Sequence, residues 1–243
     1  MSIPKIIHYC WFGKEIPKKF KDYIEGWKKV CPDYKIMLWN ESNYDIYSNE
    51  FLKEAVQSNK WAFVADYVRL DVLYKYGGIY LDTDVELLRN FNDFLNERLV
   101  LGFETSKEVN AAIVLAEKNH EFLKEMLDIY NTRMFRGKPI VKDLIPIPYT
   151  LTQTLITKGL EPNGKKQLLN NGINILTRDF FYPLSYEAEG KLFTKNTVCI
   201  HHYAGTWSNK ITKLDVFCKK NFSISIRPVI QFLSKIKRKI RGN

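Results

Sequence analysis

The sequence predicts an α/β fold: one mixed sheet with helices on both faces. Two observations carry this expectation. Apolar strand-like runs alternate with runs of helical spacing along most of the chain. The chain also opens strand, helix, strand, the start of a nucleotide-binding unit, although G-x-G-x-x-G is absent. A length of 243 residues allows one large domain with a full core, or two small ones.

"KIIHYCWFG" reads as a buried first strand ending at Gly13. "PKKFKDYIEGWKKVCP" carries apolar residues at helical spacing and stops at Pro32. "YKIMLWN" is a second strand. "NKWAFVADYVRLDVLYKYGG" is the strongest helix, with Asn59 as N-cap and Gly77 beyond its end. Asp66 and Arg69 lie three apart, so they share one face of it. "GIYLDTDVELL" and "LVLGFE" follow as strands. "NAAIVLAEKNHEFLKEMLDIYN" is a strand running into a helix, and "IPIPYTLTQTLITKG" a turn and a helix. "NTVCIHHYAGTW" is a late strand and loop.

Charge and cysteine content narrow the function classes. The net charge is +10, but eight of the 37 basic residues lie from residue 219 onward, where no acidic residue occurs. The body is therefore close to neutral, which argues against a nucleic-acid partner. Cys10, Cys31, Cys199 and Cys218 form no C-x-x-C pair and read as free thiols of a reducing compartment. No signal peptide is visible and no apolar run approaches a membrane span. The expected location is cytoplasmic.

The chemistry centres on Asp82 and Asp84. On a strand they would point to the same side. At a strand's carboxyl end that side opens onto the ligand crevice of α/β proteins. Two carboxylates placed there repel unless a cation lies near them. Mn²⁺ or Mg²⁺ suits oxygen ligands and would bring a diphosphate with it.

"ADYVRLDVLYKYGGIYLDTDVELL" resembles the signature of the DXD-type sugar transferases of glycosyltransferase family 32. That family includes bacterial capsule and O-antigen enzymes, fungal mannosyltransferases and, more distantly, the large clostridial glucosylating toxins. "IPKIIHYCWFG", "NAAIVLAEKNH" and "IHHYAGTWS" resemble family segments in the correct order, so the likeness runs from about residue 3 to about residue 209. It implies a GT-A fold over residues 1–218, a nucleotide-sugar donor, a divalent metal and retention at the anomeric carbon.

The resemblance also assigns roles. Asp84 would bind the metal, with His202 as a late ligand and His201 as its rival. Only one of the two histidines should reach the metal, since adjacent strand residues point opposite ways. Asp82 would hold ribose or sugar hydroxyls and metal-bound water. Asp66 and Arg69 would bind donor hydroxyls. Tyr80 would line the nucleotide pocket, Trp11 would stack on the base and Trp207 would hydrogen-bond the departing diphosphate. Asn110 would contact sugar or acceptor, and Tyr149 and Thr150 would face the acceptor. Related bacterial enzymes point to a UDP-linked hexose.

Plainer readings exist for several of these residues. Asp66 and Arg69 could form a surface ion pair, and Trp11 and Trp207 could be core. Two other functions also compete. "IYLDTDV" fits a haloacid-dehalogenase-type phosphatase with Asp82 as nucleophile, but no later Asp-Asp pair follows. A non-enzymatic membrane adaptor would leave Asp82, Asp84, Asp66, Arg69 and His202 unexplained.

Residues 219–243 lie outside the resemblance. Ile226, Val229, Ile230, Leu233, Ile236 and Ile240 recur at three- and four-residue steps, with Lys235, Lys237, Arg238, Lys239 and Arg241 on other faces. This is the pattern of a basic amphipathic helix on an anionic membrane surface. It would hold the enzyme peripherally on the inner face of the plasma membrane, beside a glycan acceptor on a polyprenyl-diphosphate lipid.

Overall fold

The computed structural model describes residues 2–132, 145–184 and 190–205. Trp207, the boundary at residue 218 and the basic segment 219–243 lie outside the described residues.

Strand β1 (Ile6–Cys10) leads into helix α1 (Lys18–Val30) and strand β2 (Lys35–Trp39). Phe20, Ile24 and Trp27 bury one face of α1 at helical spacing. Helix α2 (Glu50–Gln57) is capped by Asn49, whose side chain accepts from the Leu52 amide at 2.9 Å. Helix α3 (Trp61–Tyr76) ends at Gly77. Asn59 was expected to cap α3, but its φ is 54° and Lys60 takes the cap position without a side-chain bond. The run Ser58–Asn59–Lys60 is a tight turn joining two helices, and asparagine tolerates the left-handed conformation that turn requires.

Strand β3 (Gly78–Leu81) follows at once. Its first residue has φ +112°, and a Cβ there would lie 2.6 Å from the Ile6 carbonyl oxygen. Only glycine allows β3 to leave the helix this close to β1. Then come β4 (Val85–Leu87), β5 (Leu99–Phe103), β6 (Val109–Ala116), α4 (Glu121–Asn131) and α5 (Ile147–Thr157). The chain continues through β7 (Gln167–Leu169), β8 (Ile173–Leu176), α6 (Arg178–Phe181) and β9 (Cys199–His201).

Seven strands form a mixed sheet in the order β2-β1-β3-β6-β5-β8-β7. β1 pairs in parallel with β2 and β3, and β5 with β8. β6 runs antiparallel between β3 and β5. The carboxyl ends of β1, β2, β3, β5 and β8 therefore share one edge of the sheet. Side chains alternate between two apolar layers. Tyr80, Leu101, Phe103, Ile173 and Ile175 pack with α2, α3, α4 and α5. Ile79, Leu81, Val100 and Leu176 pack on the other face with α1 and α6. Each such side chain fully buried contributes about 1.5–3 kcal/mol.

The sheet is not the only one. β4 and β9 form a separate two-stranded ribbon. The chain leaves the main sheet after Leu81, and the Trp27 indole N–H donates to the Val85 carbonyl at 2.8 Å, tying the ribbon to α1. Among the described residues Cys10, Cys31 and Cys199 are buried free thiols; Cys218 lies outside the described residues. Among the described residues, no helix is long and apolar enough to cross a membrane.

Candidate active site

Asp82, Thr83 and Asp84 are not strand residues. β3 ends at Leu81, and the Val85 amide closes a turn onto the Asp82 carbonyl at 3.1 Å. Turn geometry, rather than the two-residue repeat of a strand, brings the two carboxylates together. The Asp82 amide is still held by the Ala112 carbonyl of β6 at 2.8 Å, so the turn starts from a rigid point.

Asp84 is nearly buried and tightly bound. Its Oδ2 accepts from the Ala204 amide at 2.7 Å, and its Oδ1 lies 3.3 Å from His201 Nε2. Burial alone would raise the Asp84 pKa. The charge and hydrogen bond of His201 and the Ala204 amide outweigh it and bring the carboxyl down to about 2. Burial alone would lower the His201 pKa, but Asp84 reverses the direction and raises it. Asp82 is raised, first by burial and then by the charge of Asp84, against the opposing charge of Arg69.

The expectation that His202 joins this cluster is corrected by the register of the ribbon. β4 and β9 pair Val85 with His201, so His201 falls on the inner face. His202 falls on the outer face, where Nε2 lies 2.8 Å from Glu86 Oε2 and the ring stacks on Tyr23 at 5.0 Å. The Asp82, Asp84 and His201 ligand atoms all lie within 4.8 Å of one another. Two carboxylates and an imidazole fit a hard divalent cation.

A second convergent group, Glu117, His120 and Glu121, lies elsewhere and does not fit a cation. Arg98 already bonds Glu117 at 2.6 Å and Glu121 at 3.0 Å. The imidazole of His120 caps α4 through Nδ1 and faces the Asn171 carbonyl through Nε2.

Behind the turn, α3 contributes Asp66 and Arg69. They are not a surface pair: Asp66 is 6% exposed and Arg69 5%. The Arg69 guanidinium lies 3.0 Å from Asp66 Oδ1 and 3.4 Å from Asp82 Oδ1, and donates to the Ala111 carbonyl at 2.7 Å. Its plane sits over the Tyr80 ring at 4.6 Å. Arg69 thus joins α3, β6 and the carboxylate turn in one network.

Other expected residues are placed as follows. Tyr80 is 1% exposed and sits in the core beneath Arg69, so it supports the site rather than lining an open pocket. Trp11 stands in the loop after β1 at the same sheet edge, with its indole N–H on the Lys14 carbonyl at 2.7 Å and its ring against Phe20. Asn110 is buried in β6, and its side-chain oxygen accepts from the Ala112 amide at 2.8 Å. Tyr149 is exposed at the start of α5, whereas Thr150 is buried.

Two further residues enter the site that the sequence does not single out. Glu104 is buried just past the end of β5. Tyr203 follows the ribbon, and its ring centroid lies 4.2 Å from that of His201. For Glu104 a signal existed: "LVLGFE" ends an apolar strand in a carboxylate, the pattern that drew attention to Asp82. Asp66, Asp82, Asp84 and Glu104 outnumber Arg69 and His201, so the crevice favours a cation.

The sequence of residues 17–101 matches the family described as a glycosyltransferase sugar-binding region containing the DXD motif. The chain is 32% identical over 130 residues to inositol phosphoceramide mannosyltransferase 3 of Schizosaccharomyces pombe, covering 52% of this chain and 36% of that protein. It is 36% identical over 134 residues to the human lactosylceramide 4-alpha-galactosyltransferase, covering 54% of this chain and 35% of that protein. The match thus spans about a third of each of these relatives. Among solved structures, the PaToxG glycosyltransferase superposes with a TM-score of 0.52 at 22% identity, covering 64% of this chain and 70% of that one. The fold is the GT-A type that the resemblance implied.

Proposed function

We propose that this chain, whose residues 17–101 match the DXD-containing glycosyltransferase family, moves a hexose from a nucleotide sugar, UDP-linked, to a glycan acceptor with retention at the anomeric carbon. The observation that carries this reading is the convergence of Asp82, Asp84 and His201 in front of the buried Asp66–Arg69 pair. Neither a phosphatase nor an adaptor accounts for both halves of that arrangement.

Asp84 and His201 would hold a divalent cation, Mn²⁺ or Mg²⁺, with Asp82 beside them. When bound, the cation would stabilise the negative charge that develops on the departing diphosphate. Asp82, fixed by Arg69, would accept hydrogen bonds from ribose or sugar hydroxyls. Asp66 and Arg69 would orient the donor hexose, with the planar guanidinium fork lying over Tyr80. Trp11 would stack on the base and Trp207 would donate its indole N–H to the diphosphate.

The named relatives act on lipid-borne acceptors, an inositol phosphoceramide and a lactosylceramide. That supports an acceptor glycan carried on a lipid. A polyprenyl-diphosphate lipid at the cytoplasmic leaflet, with the basic segment 219–243 on the anionic surface, is our choice within that class. A role in surface polysaccharide synthesis follows from it.

The direct test is donor hydrolysis by the full chain across UDP- and GDP-hexoses, with Mn²⁺ and with EDTA. One UDP-hexose should be cleaved, and EDTA should stop the reaction. Hydrolysis that persists in EDTA would remove the metal from the reading, and preference for a GDP-hexose would remove the uridine.

A further inference from the structure

Resting on the cation reading above, we infer that Trp27 is a positioning residue for the cation site: its indole N–H fixes where the ribbon places Asp84 and His201 relative to Asp82. The cluster spans two separately built sheets. Asp82 belongs to the main sheet, since the Ala112 carbonyl of β6 takes its amide at 2.8 Å. Asp84 and His201 belong to the ribbon. The Asp84 carbonyl accepts from the His202 amide at 3.0 Å, and the Asp84 carboxylate accepts from the Ala204 amide at 2.7 Å. The separation of Asp82 from the other two therefore depends on what holds the ribbon against the sheet.

β4 and β9 have three residues each, and a two-stranded ribbon this short is a weak support by itself. Its ladder also leaves a group unpaired beside the ligands. Hydrogen-bonded pairs alternate with open ones along an antiparallel ribbon. Asp84 and His202 are joined by a backbone bond, so the next pair, Val85 and His201, is an open one. The Val85 carbonyl then points away from β9, in a residue with no exposed surface. A buried carbonyl left without a partner is costly. Trp27 supplies the partner, since its Nε1–H donates to that oxygen at 2.8 Å.

Trp27 is anchored in turn. It is fully buried on α1, and its ring meets Tyr9 of β1 edge-on at 5.6 Å. One turn earlier on the same helix, Tyr23 stacks on His202 at 5.0 Å. α1 thus joins the main sheet to both sides of the ribbon, to β4 through Trp27 and to the end of β9 through Tyr23. The Trp27 bond falls on the residue that follows Asp84 and pairs with His201, yet Trp27 touches no ligand. Groups that orient metal ligands typically change metal affinity by about 10–100-fold when removed.

The test replaces Trp27 in the full chain by two isosteres. Benzothienylalanine keeps the bicyclic ring but has no N–H, and fluorotryptophan keeps both. Mn²⁺ affinity is measured by electron paramagnetic resonance without any sugar nucleotide, and thermal unfolding in EDTA reports folding separately. The benzothienyl variant should bind Mn²⁺ about ten-fold more weakly, and the fluorotryptophan variant should bind as the parent does. A benzothienyl variant that unfolds more easily but keeps the parent's affinity shows a merely structural indole and overturns the inference. Equal weakening by both isosteres overturns it too. If the benzothienyl variant does not fold, linkage decides in the parent, because a bond that favours the cation is itself favoured by the cation. Saturating Mg²⁺ should then slow exchange of the Trp27 indole proton by about ten-fold and leave the Trp39 indole, bonded to His8, unchanged. No slowing, or equal slowing of both, overturns the inference. If the parent binds neither ion, the cation reading fails and the inference with it. If Asp84→Asn abolishes binding while the benzothienyl variant binds normally, the cation reading stands and the role of Trp27 falls.

Discussion

Lowering the pH should destabilise this protein through His8, by an amount the structure allows us to work out. His8 is fully buried in the middle of β1. Its Nδ1 accepts from the Trp39 indole N–H at 3.0 Å, and its Nε2 faces the Gly77 carbonyl at 2.8 Å. An indole N–H can only donate and a carbonyl can only accept, so the ring is neutral with its proton on Nε2. A second proton would have to displace the Trp39 bond inside the core. Burial, with a smaller contribution from Lys35 and against the Gly77 carbonyl, lowers the His8 pKa from 6.5 to about 4. Below pH 6.5 the unfolded chain takes up a proton that the folded chain refuses. Stability is therefore complete above 6.5, falls as the pH drops, and levels off once the pH passes the folded value of about 4. At about 1.4 kcal/mol for each pH step of one, that interval removes about 3 kcal/mol from a typical total of roughly 5–15 kcal/mol. His120, also lowered by burial, adds to the loss in the same direction. The assay is urea unfolding at pH 7.5, 6, 5 and 4 for the parent and for His8→Gln, whose difference isolates His8 from the carboxylates. The parent should lose about 3 kcal/mol more than the variant across this range. A parallel pair of curves, or a His8 resonance that titrates near 6.5 in the folded protein, would refute the reasoning.

Other outcomes follow from the site and from the strand that leads to it. Asp84→Asn should abolish Mn²⁺ binding while the fold survives, and turnover should fall by on the order of 10²-fold or more; normal turnover would sink the assignment. His201→Ala should weaken Mn²⁺ binding in a metal titration and His202→Ala should not, so the opposite order would show the ribbon to be out of register. Arg69→Lys keeps the charge but not the fork, so donor hydrolysis should drop by at least about ten-fold while urea unfolding shows a loss of about 2–4 kcal/mol. Gly78→Ala should cost more than about 1–3 kcal/mol in the same unfolding assay, since the added Cβ meets the Ile6 carbonyl as well as a positive φ.

The main elements were legible because their signals are local. α1 and α3 announce themselves by spacing, and β1, β3 and β5 by apolar runs. α2 was not legible: eight residues give barely two turns of pattern, and its Asn49 cap lies among other turn-forming residues. β7 and β8 escaped for a related reason. They have three and four residues and are joined by Asn170–Gly172, which reads as loop. Gly77 marks the helix end by local pattern, whereas the close approach of β3 to β1 at Gly78 is a tertiary contact that no local pattern shows.

The site divides along the same line, and the histidines show why. Alternation along a strand established that only one of His201 and His202 could meet the carboxylates. Which one depends on pairing register, and a slip of one residue exchanges the two faces. No local pattern in "IHHYAG" shows that register. It depends on partners distant in sequence: the Trp27 bond to Val85 on one side of the ribbon, and the Asp84 carboxylate that takes the Ala204 amide on the other. Likewise, Asp66 and Arg69 have the spacing of an ordinary exposed pair, and only the approach of β6 over α3 turns them into a buried one. Sequence pattern names the chemical groups of such a site. The long-range contacts decide which of them face one another, and a substitution at Trp27 would disturb one of those contacts without touching a ligand.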